Sequence, residues 1–218
     1  MIMSPKKKPS AEEEKDKEES QEASEMTTEQ LAAALGLEPD EEMRIVGLYG
    51  DITESKSREC LSGMLVLHNS GKREEEGKEI WDPMEFIIST YGGSADDMFA
   101  LYDIMRVIQK DCEIHTFGLG KVMSAGVLLL AAGTKGKRKI GANCRVMIHS
   151  VIGGNHGSLH NLENEMDEIR NSQENYVNAL VRETNLTKRT LKRLLERKVN
   201  VYLSATEAVE YGIADIIV

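Results

Sequence analysis

Lys121-Val122-Met123-Ser124-Ala125-Gly126-Val127-Leu128-Leu129-Leu130 carries a serine into the start of an apolar, helix-forming run. Further along, His149 closes an apolar segment of strand character, Arg145-Val146-Met147-Ile148-His149. A hydroxyl and an imidazole, each at the end of a buried element, are two of the three side-chain types that a nucleophilic triad requires. Around this pair, two kinds of apolar segment alternate. Short runs read as strands at Arg44–Tyr49, Met84–Ser89, Glu113–Phe117, Arg138–Ile140 and Arg145–His149. Helical spacing puts Cys60, Leu61, Met64, Leu65 and Leu67 on the stripe of a helix over Thr53–Leu67. A second stripe, Met98, Leu101, Tyr102, Met105 and Ile108, belongs to a helix over Ala95–Gln109, and a third helix runs over Ser124–Ala132. Alternation of this kind means an α/β fold with mostly parallel strands.

The pattern changes after His149. Gly153, Gly154 and Gly157 make a flexible stretch, followed by a long helix over Leu159–Glu183. Leu162, Met166, Ile169, Tyr176, Val177 and Leu180 fall at partly helical spacing on it. Its hydrophobicity is weak for its length, so it either projects from the body or packs against another subunit. A shorter helix (Thr187–Arg197), a strand (Val201–Leu203), a helix over Ser204–Tyr211 and a last strand (Ile213–Val218) complete the chain. Ser204 and Glu207 have the spacing of a capping box. Residues 69–82 are rich in Lys, Glu and Gly and read as a surface loop. Residues 1–26 are rich in Glu, Lys and Ser and read as a disordered acidic tail, because they cannot bury enough surface to offset the entropy of ordering. Residues 27–43 read as a short helix and linker, with Leu31, Ala34 and Leu35 on one face and Gly36 and Pro39 ending it. The folded domain is expected over 44–218.

With 218 residues the chain suits one domain plus appendages. The net charge of −10 is concentrated at one end: residues 1–42 hold five lysines and thirteen acids, which leaves −2 for the other 176 residues. A fold so nearly neutral does not suit nucleic-acid binding by a basic face, and Lys135, Lys137, Arg138 and Lys139 read as a solvated turn. No run of about 18 apolar residues is present, so no membrane span is expected. Lys6, Lys7 and Lys8 are not followed by the apolar segment of a secretory signal. Cys60, Cys112 and Cys144 are scattered, without a CxxC pair, and read as small buried hydrophobes in a reducing cytoplasm. His156 and His160 lie four apart, but the glycines around them argue against a metal pair.

A serine hydroxyl becomes a useful nucleophile when a base takes its proton and donors receive the developing oxyanion. Ser124 at a helix start would lie among unpaired N–H groups. Tyr91-Gly92-Gly93, directly after a strand, is a turn whose N–H groups can approach a substrate closely. His149 is the candidate base. Each residue has a plainer reading: an N-cap for Ser124, an ordinary turn for Gly92-Gly93, a structural strand-end residue for His149. Lys121 also raises a serine–lysine dyad against the plainer reading of a surface lysine. Taken singly, none of these identifies a site.

Taken in order they resemble the proteolytic subunit of Clp protease, the ClpP family. The matching segments are Arg44-Ile45-Val46-Gly47-Leu48-Tyr49-Gly50, Gly92-Gly93, Tyr102-Asp103-Ile104-Met105 and Gly120-Lys121-Val122-Met123-Ser124-Ala125-Gly126. They continue through Ala132-Gly133-Thr134-Lys135-Gly136-Lys137-Arg138, Asn143-Cys144-Arg145-Val146-Met147-Ile148-His149 and Tyr202-Leu203-Ser204-Ala205-Thr206-Glu207-Ala208-Val209-Glu210-Tyr211-Gly212. The resemblance implies that Ser124 is the nucleophile, His149 the general base, and the N–H groups of Gly93 and Ala125 the oxyanion hole. The family's acid falls at Asn200, just ahead of Val201-Tyr202-Leu203-Ser204-Ala205. A carboxamide can orient the imidazole but brings no negative charge to the imidazolium. The chain also departs from the family at Tyr91, where a proline is usual, at Val122 and Met123, where alanines are usual, and in the family's N-terminal segment, which is not recognisable.

The implied fold is a ClpP/crotonase-like stacked ββα superhelix with a protruding handle helix at about 153–184. The implied activity is endoproteolysis of unfolded polypeptides, delivered by an AAA+ unfoldase to a tetradecamer of two stacked heptameric rings. No GxxxxGK[ST] occurs, so the subunit itself is expected to bind no nucleotide, and the chemistry calls for no metal or organic cofactor. Two alternatives accompany this expectation. One is a catalytically weak or inactive ring subunit mixing with a competent paralogue; the other is a crotonase-like acyl-binding protein that uses only the oxyanion hole.

Overall fold

Strand β1 (Ile45–Ile52) buries Val46, Leu48 and Ile52 and exposes the residues between, the period-two pattern of a strand with one face on a core. The computed structural model to which it belongs describes residues 43–154, 156–195 and 200–218. The expected tail and the helix over 27–43 therefore lie outside the described residues, apart from Met43. Helix α1 (Glu54–Ser70) follows, capped by the Thr53 hydroxyl, which accepts from the Lys56 N–H.

Residues 72–81 correct the expectation of a loop. They form an antiparallel hairpin of β2 (Lys72–Glu75) and β3 (Lys78–Trp81). Composition hid it because these strands have no core face: almost every residue is polar and exposed. The hairpin is held by features that no hydrophobic period reports. Glu76 and Gly77 take positive φ (53° and 77°) as the primed turn of a two-residue hairpin requires, Lys72 Nζ meets Glu79 at 2.5 Å, and Trp81 stacks on His68.

Strand β4 (Met84–Gly93), helix α2 (Ala95–Ile108), strand β5 (Ile114–Met123) and helix α3 (Ala125–Ala131) make the centre. Strands β6 (Lys139–Ile140) and β7 (Arg145–Ile148) come next. The chain ends with helix α4 (Leu159–Glu183), helix α5 (Lys188–Leu195), strand β8 (Val201–Leu203), helix α6 (Ala205–Glu210) and strand β9 (Ile216–Ile217). The sheet runs β1-β4-β5-β6-β9 with every neighbour parallel. Strand β7 pairs parallel with β5 and antiparallel with β8.

Strand β5 is longer than the Glu113–Phe117 run that the sequence marks, because Gly118 and Gly120 interrupt its β-forming residues. Gly120 takes φ +63°, and the strand changes neighbour around it. Phe117 and Gly118 lie beside β6, whereas Lys121, Val122 and Met123 lie beside β7. This change of partner lets β7 and β8 join the same sheet beside the far end of β5, and it carries the chain straight to Ser124. Helix α3 is buried over all seven residues, and a Cβ on its Gly126 would lie 2.3 Å from Thr90 Cγ2, so its backbone packs directly on β4. Helix α6 has both halves of the expected capping box between Ser204 and Glu207.

The long helix divides lengthwise. Tyr176, Val177, Ala179, Leu180 and Glu183 are buried at its C-terminal end, while Leu159, Leu162 and Met166 are exposed toward its N-terminal end. Glu183 is only 2% exposed and receives the Tyr102 hydroxyl at 2.8 Å, Arg106 Nη1 at 3.2 Å and Lys135 Nζ at 3.5 Å. Arg138, also buried, pairs with Asp215 and so ties the start of β6 to the segment before β9. Among the described residues no helix is long and apolar enough to cross a membrane.

Candidate active site

Ser124 joins the end of β5 to α3 and takes φ +54°, ψ −122°, a conformation that costs a non-glycine residue about 1–3 kcal/mol. Its surroundings hold it there. The Ser124 N–H donates to the Met147 carbonyl at 2.8 Å, and the Ser124 carbonyl accepts from the Tyr176 hydroxyl at 2.9 Å. The side chain makes no capping hydrogen bond, although the residue stands at the N-cap of α3. The strained strand-to-helix turn leaves the hydroxyl for other work, as in nucleophile elbows.

Glycines bring the second wall of the site against this serine. Gly92 has φ +98°, and a Cβ there would lie 2.6 Å from Ser124 Cβ and 3.0 Å from the Met123 carbonyl oxygen. The Thr90 hydroxyl, fully buried, accepts the Gly92 N–H at 2.9 Å and fixes the turn. Gly93 presses on β1 so closely that a Cβ would meet the Ile52 carbonyl oxygen at 2.2 Å. Ala125 is the first residue of α3, where an N–H has no acceptor within the helix. A Gly92→Ala variant is expected to displace the Ser124 turn and to lower stability by about 1–3 kcal/mol, which chemical denaturation checks.

Ser124, Ala125, Gly93 and His149 all line one cavity of about 320 Å³, whose apolar wall includes Met98, Phe99, Ile152 and Tyr176. His149 is half-buried, one residue past β7, and its Nδ1 lies 2.5 Å from the Ser150 carbonyl oxygen. A carbonyl oxygen only accepts, so Nδ1 carries a proton toward Ser150, and Nε2 is the ring nitrogen outside that bond. Nε2 is the nitrogen that a general base of the triad type uses.

Asn200 is exposed and does not line the cavity. The antiparallel register nevertheless pairs Val146 with Leu203, Met147 with Tyr202 and Ile148 with Val201. His149 and Asn200 each lie one residue beyond the last of these pairs, outside the strands. Lys121 Nζ sits over the Tyr91 ring, 4.4 Å from its centre, and Lys121 does not line the cavity, which leaves little basis for a serine–lysine dyad.

Sequence reasoning placed Tyr176 in an apolar stripe and missed its bond to the Ser124 carbonyl. A signal existed, because a buried tyrosine needs a partner for its hydroxyl. Nothing in the spacing named that partner.

A strained serine, a histidine whose Nδ1 is bonded to a backbone carbonyl and a glycine turn around one apolar cleft suit acyl transfer through a serine nucleophile. A family model described as Clp protease matches residues 40–218. Two relatives, both named ATP-dependent Clp protease proteolytic subunit 1, are each 33% identical over 174 residues, covering 80% of this chain and 83% of the relative. One is from Prochlorococcus marinus (strain MIT 9312) and the other from Prochlorococcus marinus subsp. pastoris (strain CCMP1986 / NIES-2087 / MED4). The chain belongs to the Clp protease family, a family of serine peptidases, and has its mixed α/β fold with a mainly parallel sheet.

Proposed function

We propose that the chain is the serine endopeptidase subunit of a compartmentalised, ATP-dependent protease. It cleaves unfolded polypeptides fed by an AAA+ unfoldase. The observation that carries this reading is the shared cavity of Ser124, Ala125, Gly93 and His149, with the serine held in a strained turn. Ser124 Oγ attacks the scissile carbonyl carbon while His149 Nε2 takes its proton. The N–H groups of Gly93 and Ala125 receive the oxyanion, and the imidazolium then protonates the leaving amine. Water repeats the sequence on the acyl-enzyme and releases the second product. Exposed Leu159, Leu162 and Met166 on α4 favour self-association in stacked rings over a solitary subunit.

Asn200 is the third member of the triad in this reading, steadying the ring beside the Ser150 carbonyl. Neither group is charged, so the imidazolium lacks a counter-ion. Asn200→Asp is expected to raise kcat roughly tenfold or more, since a charge at the triad's third position acts mainly on the transition state. An unchanged kcat would mean that a carboxylate at this position does not reach Nδ1.

The bond from Nδ1 to Ser150, with Asn200 exposed, favours one second reading: a weakly catalytic ring subunit that modulates a competent paralogue. A fluorophosphonate probe separates the two. Labelling of Ser124 in the wild type, lost in His149→Ala, supports the peptidase; an assembled particle that takes no label supports the structural role.

A further inference from the structure

Two polar side chains of α4, three residues apart, reach the two strand ends that carry Ser124 and His149. The Tyr176 hydroxyl donates to the Ser124 carbonyl at 2.9 Å. Gln173 Oε1 accepts the Val151 N–H at 2.7 Å, two residues past His149. Positions i and i+3 share a helix face, so a single face of α4 grips both sides of the cleft. The grip on the serine side is well protected. Tyr176 is 4% exposed, and burial pushes its phenol above the ordinary range, which keeps the hydroxyl a donor at every working pH. It acts where restraint is needed, because Ser124 holds a positive φ that an unrestrained serine would leave.

The same serine is also fastened from the other direction. Its N–H donates to Met147 in β7, the strand that ends at Ile148 just before His149. Nucleophile, base strand and α4 thus form a closed circuit: Tyr176 to Ser124, Ser124 to Met147, and Val151 back to Gln173. A shift of α4 along its axis would pull on both ends of the dyad at once.

We infer that Tyr176 and Gln173 are positioning residues that hold Ser124 and the His149 segment in mutual register for attack. Neither residue touches the scissile bond in this role, and the inference rests on the peptidase reading above.

The test uses the full-length assembled protein and three variants: Tyr176→Phe, which keeps the ring and removes the hydroxyl, Gln173→Met, which removes the acceptor, and Gln173→Glu, which keeps it. With a fluorogenic peptide, Tyr176→Phe and Gln173→Met are each expected to lower kcat roughly tenfold, the effect of one lost hydrogen bond acting on alignment, with KM little changed. Gln173→Glu is expected to recover most of the loss seen in Gln173→Met. A wild-type kcat in Tyr176→Phe overturns the inference. So does a rise in KM at constant kcat, which would make the tyrosine a substrate contact. A parallel fall in melting temperature or particle size would make it merely structural, and also overturns it. If the wild type shows neither turnover nor fluorophosphonate labelling, the peptidase reading fails, and hydrogen exchange then decides the clamp separately. Faster exchange across residues 120–130 and 145–152 in Tyr176→Phe, with β1 unchanged, upholds it; identical exchange overturns it.

Discussion

Ser124→Ala is expected, on the peptidase reading, to lower peptide turnover on the order of 10⁴-fold or more and to remove fluorophosphonate labelling, because of the serines lining the cleft only Ser124 stands on a strained turn, while Ser94 is engaged as the cap of α2. Lys121, the nearest nucleophilic alternative in sequence, is occupied over the Tyr91 ring. Alanine keeps the Cβ, so the strain at φ +54° remains and stability should change little. Ser124→Gly should be equally inactive but more stable, by about 1 kcal/mol, since glycine adopts positive φ without penalty. Chemical denaturation of the two variants therefore measures how much stability the wild type forgoes to hold Ser124 in this turn. Equal midpoints for Ala and Gly would mean that the turn is not strained.

The second large effect is on stability. Glu183 lies at the C-terminal end of α4, 2% exposed, with Tyr102, Arg106 and Lys135 converging on it. Removing one partner of such a cluster strands the others, and Glu183→Ala is expected to cost about 3 kcal/mol, toward the lower end for buried pairs because Lys135 is half exposed. Burial lowers the pKa of Lys135 and raises that of Tyr102, the directions in which a poorly solvated site disfavours charge. Urea denaturation with a fitted midpoint and slope reads the loss. The same variant should loosen the helix that carries Tyr176, so turnover should fall further than stability alone explains. A change under 1 kcal/mol would show that solvent replaces these contacts.

Much of this was legible in the chain. The α/β alternation, the long helix and the capping box at Ser204 follow from periodicity and local chemistry, which need no knowledge of the fold. Ser124, Ala125, Gly93 and His149 were named from a motif order, and the structure brings them around one cavity. What was not legible depends on tertiary contact. Strand β5 passes through two glycines because it must bend between two neighbours, and no local propensity announces a change of partner. Tyr176 looks like one more apolar residue until α4 is folded back on Ser124. Asn200 was found through its place ahead of the Val201-Tyr202-Leu203 motif, and the structure sets it one residue beyond the β7–β8 pairing, exposed and away from the cavity lining.

The hairpin of β2 and β3 has a practical use. It closes on itself through its own cross-strand partners and turns at Glu76–Gly77, both exposed, with nothing within 4 Å of a Cβ added at Gly77. Epitopes or fluorophores spliced at that tip would project into solvent and leave the cleft undisturbed, giving a handle for purification and single-particle tracking where termini are inconvenient.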